Sequence, residues 1–240
     1  MINMLRSEHL KYKRTFSRKL FFIVPMYILL NLLMMTMYFF INTLNLWSCF
    51  IMPFMISLIC ALSVLREKRA GNYRTLKSKD INLKKMWISK ILIVTYYEFL
   101  ASIVFLSIML LVKLIYKTSL IHPKELLIAT FVIFITTLIL IPICLFLAEI
   151  FGTFAPILIT LIGAIAGTIF ATKSTWYLCP FSIAPRLMCP IIKVHPSGIP
   201  LEIGSPLLNS SVISKGFIIS ITLFIILSVI TSFWFSKRRN

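Results

Sequence analysis

Apolar residues in this chain come in long unbroken runs, without the alternation of a half-buried strand or the single stripe of a soluble helix. The runs cover roughly residues 20–41, 46–65, 91–112, 126–147, 153–171 and 216–235. Each approaches the ~20 residues that a helix needs to cross hydrocarbon. The pattern predicts an all-α polytopic membrane protein, a single domain over residues 1–240 with six transmembrane helices. The first run is longer than a signal-peptide core, and the first alanine of the chain is Ala61, so no small-residue cleavage site follows it. A retained helix is expected there.

Three polar regions punctuate the runs. Residues 1–19 place Leu5, His9, Tyr12 and Phe16 at helical spacing among Arg6, Lys11, Lys13, Arg14 and Arg18, which predicts a basic amphipathic helix in the membrane interface. Residues 66–90 form a basic loop in which Gly71 can hinge, and Asp80 can cap a stretch whose face carries Leu83, Trp87 and Ile91. Residues 172–215 hold Pro180, Pro185, Pro190, Pro196, Pro200 and Pro206, too many breaks for a span, and predict short re-entrant or interfacial helices over 181–192 and 201–208. Cys179 and Cys189 lie ten apart in that segment, and spacing does not decide whether they pair.

Composition agrees with the pattern: 59% of residues are hydrophobic and 13% charged. This excludes an ordinary soluble enzyme. The net charge of +18 points to a membrane surface and not to nucleic acid, because the basic residues lie between apolar runs. With the N-terminus inside, the inner segments hold 18 Lys and Arg against seven outside, which predicts cytoplasmic N- and C-termini. Trp47, Trp87, Trp176 and Trp234 fall near span ends, where an indole N–H can stay wet.

Candidate chemistry is sparse. Glu98 is the one ionisable residue well inside a span, about 10 Å deep at helical rise, with Tyr96 and Tyr97 beside it as candidate hydrogen-bond donors; a cationic substrate is the alternative partner. Glu149, at the inner end of the fourth run, is expected to reach water. A coupled carrier would need a relay of buried carboxylates or histidines, which the runs lack. Protease patterns, metal-ligand spacing and a Gly-x-x-x-x-Gly-Lys-[Ser/Thr] phosphate loop are also missing, so catalysis in the chain and a cofactor of its own are not expected. Gly163 and Gly167, four apart, predict close helix packing within or between subunits.

Glu67, Gly71 and Leu76 resemble the second-span end of ABC-2 type exporter permeases, where a Glu closes the span, a Gly follows four residues on, and a Leu-rich helix comes next. Glu8, Lys11, Lys13 and Arg14 look like that family's N-terminal interface helix. The run Trp176, Pro180, Pro185, Arg186, Leu187, Met188, Cys189, Pro190, Pro196, Ser197 and Gly198 is similar to the lantibiotic-immunity permeases.

The resemblance implies a permease subunit that expels a lantibiotic-type peptide, paired with a second copy or a sister permease. ATP and Mg would sit on a separate cytoplasmic ATPase homodimer. Glu67, Gly71, Tyr73, Arg74 and Leu76 would couple to that ATPase, and Tyr97, Glu98, Trp176 and Arg186 would line the substrate path. A drug or lipid exporter, or an ATP-independent channel or carrier, are the other readings. The outer loops are themselves basic, seven Lys and Arg against Glu125 and Glu202, so a cationic peptide would gain no electrostatic capture there.

Overall fold

The structure, a computed structural model, describes residues 2–13, 15–32, 38–70, 82–115 and 121–239. Among these residues the regular elements are helical, and the only β pairing is an isolated antiparallel bridge between Val194 and Pro200. Helix α1 (Ile2–Tyr12) is followed by α2 (Phe16–Ile23), and the path turns by 78° between α1 and the stretch Phe16–Leu32. A 3₁₀ turn over Val24–Met26 links α2 to α3 (Tyr27–Leu32). Pro25 has no N–H for the carbonyl four residues back, which is why the α-helix tightens at this point.

The same cause recurs in other spans. Helices α4 (Phe39–Leu46) and α5 (Met52–Arg69) join through a π-turn, Trp47–Ile51, just before Pro53. Helix α6 (Leu83–Ile115) is unbroken over 33 residues. Helix α7 (Pro123–Thr137) begins with Pro at its first position and a Glu125 carboxylate that accepts the His122 N–H at 2.8 Å. It breaks before α8 (Leu140–Phe151), where Pro142 cannot reach the Leu138 carbonyl and the Ile141 N–H takes it instead at 3.1 Å. Gly152, at φ 90°, turns the chain into α9 (Phe154–Phe170). Helix α10 (Pro180–Ile192) and the long α11 (Ser211–Arg239) complete the bundle.

By length and composition, four helical stretches can cross a bilayer: Phe39–Arg69, Leu83–Ile115, Pro123–Phe151 and Ser211–Arg238, or five if the bent pair at the N-terminus counts as one span. Helix α9, at 17 residues, is apolar but falls short of that length. The N-terminal region does not form one interface helix over 1–19. Helix α1 stops at Tyr12, and Phe16, expected on its apolar face, opens α2 and is 62% exposed. In the outer segment 172–215, residues 180–192 form the expected short helix, whereas 201–208 contain only a 3₁₀ turn, Pro206–Leu208, and α11 already starts at Ser211.

One apolar core runs through the bundle from Tyr12 to Phe235. Leu83, Trp87 and Ile91 are buried on one face of α6, as the spacing predicts. Three of the four tryptophans depart from their expected wet positions, while Trp234 is half-buried. Trp47 is fully buried against Tyr27 and Phe105, and Trp87 is fully buried with its indole N–H donating to Thr231 Oγ1 at 3.1 Å. Trp176 is 6% exposed.

Candidate functional site

Two polar clusters and one small-residue seam take up the residues that the sequence singles out. The first cluster knits α1 to the ends of α5, α6 and α8 that lie beside it. Lys11 Nζ lies 2.5 Å from Glu8 Oε1 and 2.6 Å from Glu67 Oε1, and Lys90 Nζ lies 3.7 Å from the same Glu67 oxygen. Glu8, Glu67 and Lys90 are all buried. Burial opposes the charge on Lys11, and Glu8 and then Glu67 outweigh it, so its pKa stands above the ordinary lysine value.

Neighbouring cations complete the inner cluster. Arg66 donates to the Lys11 carbonyl at 2.9 Å and to Ser17 Oγ at 3.0 Å, and its guanidinium lies 4.8 Å from the centre of the Tyr12 ring. Lys68 donates to the carbonyls of Ala148 at 3.1 Å and Glu149 at 3.0 Å at the end of α8. Glu149 is buried and does not reach water as expected. A ring stack adds to the hold on α1: His9 lies parallel to Tyr97, and Tyr97 stacks on Phe21.

Glu67 is therefore the centre of a clamp on the N-terminal helix, placed where α5 ends. Gly71, Tyr73, Arg74 and Leu76, the rest of the expected coupling element, lie outside the described residues, as does Asp80. The pairing of Lys11 and Lys90 with Glu67 was not legible, because it joins positions far apart in sequence, whereas Glu8 and Lys11 are neighbours on one helix.

The second cluster surrounds Glu98. Its side chain is fully buried between α6 and α7, and Thr137 Oγ1 donates to Oε1 at 2.8 Å. Thr137 is the last residue before the break ahead of α8, so the helix end places the hydroxyl. Among the described residues Oε2 has no hydrogen-bond partner. The neighbouring tyrosines do not serve Glu98. Tyr97 turns its hydroxyl to His9 Nδ1 at 3.2 Å, and Tyr96 is 48% exposed.

The other expected path residues are not gathered around Glu98. Arg186, on α10, donates to the Leu207 carbonyl at 2.8 Å, and the Trp176 carbonyl accepts the Ser182 hydroxyl in the outer segment. Both serve to fix that segment's fold. Cys179 and Cys189 are unbridged.

The seam lies between α9 and α10. A Cβ on Gly163 would meet the Phe181 ring at 2.6 Å, and one on Gly167 would meet the Phe181 carbonyl oxygen at 2.5 Å. The glycine pair thus packs two helices of the same chain. Gly216 on α11, which the sequence reading passed over, makes an equally close approach to Leu187 of α10 at 2.5 Å. No cluster of metal-ligating side chains occurs among the described residues. No family model matches the chain, and no curated protein or solved structure does either.

Proposed function

We propose that the chain is the permease subunit of an ABC exporter that expels a lantibiotic-type peptide from the cell membrane and so protects the producing cell. The observation that carries this reading is the clamp at Glu67. It ties an N-terminal helix to the two helices, α5 and α6, that flank the basic loop 66–90. A soluble ATPase gripping that loop would move both helix ends and α1 together, a rigid-body stroke passed on through packed contacts. The chain lacks a phosphate loop of its own, which fits a driven partner.

In this reading the six spans are α2 with α3, α4 with α5, α6, α7 with α8, α9, and α11, while α10 dips into the outer leaflet. Both termini face the cytoplasm, on the side with 18 basic residues. The permease works with a second copy of itself or a sister permease, and a cytoplasmic ATPase homodimer carries ATP and Mg. Expulsion of a drug or a lipid on the same scaffold is the second reading, favoured by the basic outer loops, which offer a cationic peptide no attraction.

Purification of the tagged chain from its native membranes tests the exporter: an ATPase copurifies in stoichiometric amount. Its consistent absence, or labelling of loop 66–90 by a membrane-impermeant reagent added outside, refutes the proposal in favour of an ATP-independent channel or carrier.

A further inference from the structure

A cavity of about 370 Å³ opens between the start of α4 and the loop after α10, lined by Asn31, Phe39, Asn42, Thr43, Asn45 and Ser197 among others. Its volume falls within the range of small-ligand sites. Three asparagines line it, and among the described residues no charged side chain does. Asn45, 7% exposed, is held in place: its Nδ2 donates to the Pro196 carbonyl at 3.1 Å, and the Cys49 thiol approaches its Oδ1 at 3.5 Å. Gly198, beside that same Nδ2, sits at φ 93°, a backbone conformation that favours glycine.

Behind Asn45 the wall is rigid. The Tyr27 hydroxyl donates to the Thr43 carbonyl at 2.6 Å, and Tyr27 stacks on the buried Trp47. Against this fixed background, Asn31 and Asn42 are half-buried at the cavity wall, where their carboxamides can meet an occupant.

We propose that this cavity binds an uncharged stretch of peptide through its main-chain amides. The Asn31 and Asn42 carboxamides each carry N–H donors and a carbonyl acceptor, the same complement that a peptide unit presents. Phe39 and Leu46 give apolar walls for side chains. A phosphate or carboxylate ligand would need a cation, and the described lining residues supply none. The site deepens the export reading, on which the choice of peptide as cargo rests, and it moves recognition away from Glu98 to the mouth of α4.

The test uses the full chain in lipid nanodiscs with no ATPase present. Acetylated, amidated tetra-alanine is titrated against the tryptophan fluorescence, and maltotetraose and inorganic phosphate serve as comparison probes. The peptide gives a saturable change that the other two do not. Asn42→Leu and Asn31→Leu, which leave the Asn45 to Pro196 contact intact, each weaken it by roughly tenfold, the size expected for one lost pair of neutral hydrogen bonds.

A second readout does not depend on fluorescence: the peptide slows maleimide labelling of Asn42→Cys. No saturable change and no protection, equal affinity in the leucine variants, or preference for the sugar or phosphate overturns the site. Because no ATPase enters the measurement, an unresponsive cavity in a chain that copurifies with an ATPase refutes the site alone. Binding by a chain that never recruits an ATPase refutes the exporter alone.

Discussion

Replacing Gly167 by Ala adds one methyl group where the structure has no room. The new Cβ would stand 2.5 Å from the Phe181 carbonyl oxygen and 2.7 Å from its carbonyl carbon. These are backbone atoms, so relief requires α10 to move as a body. Alanine favours a helix over glycine by about 1 kcal/mol, whereas overpacking of a filled site costs about 1–3 kcal/mol. The steric term wins here because nothing flexible can yield, and a net loss of about 1–2 kcal/mol is expected. At about 2–4 °C per kcal/mol for a chain of this length, the unfolding midpoint in detergent falls by a few degrees.

Gly163→Ala provides the internal control. Its obstruction is the Phe181 ring at 2.6 Å, a side chain that can tilt, so the midpoint falls less. Thermal unfolding followed by tryptophan fluorescence compares the two variants with wild type. A Gly167→Ala protein as stable as wild type, or less affected than Gly163→Ala, refutes the claim that glycine sets the distance between α9 and α10.

Three further outcomes are expected. Glu67→Lys places a like charge between Lys11 and Lys90; the protein still inserts, but amide exchange over Ile2–Tyr12 rises at least several-fold and peptide export is lost, and unchanged exchange would show that the ion pairs do not hold α1. Glu98→Gln keeps an acceptor for the Thr137 hydroxyl, so folding and export persist in a resistance assay; a transport defect with normal insertion would return Glu98 to the substrate path. Cys179 and Cys189 each take up one alkylating group in the denatured protein without prior reduction, as mass spectrometry would register, and a mass consistent with a bridge would contradict the observed free thiols.

The helical class and the long spans were legible because bilayer thickness fixes how many apolar residues a helix must show. Which face of each helix is inside was not. The stretches Phe39–Arg69 and Ser211–Arg238 are equally hydrophobic, yet most of the first is buried and only about a fifth of the second. Lipid and protein interior are equally apolar, so hydropathy does not separate them, and for the same reason Trp47 and Trp87 read as interfacial although they are core residues.

At the candidate site, Glu67 and Lys11 stood out as charges near span ends, but their pairing is a tertiary fact that depends on the 78° turn after α1. A proline within a span removes one N–H from the helix ladder without dictating the form the irregularity takes. Only the structure distinguishes a 3₁₀ turn at Pro25 from a π-turn ahead of Pro53 and a full break ahead of Pro142.

Helix α10 is notched on two sides, by Gly163 and Gly167 of α9 and by Gly216 of α11. Sliding it lengthwise by a turn would drive Phe181 into a larger neighbour, and rolling it would lift Leu187 out of the Gly216 recess. Helix α10 and its two flanking helices are therefore keyed into one block. Any cycle of opening and closing has to flex elsewhere, and the proline-weakened joints in the other helices are where the chain has already given up part of its ladder.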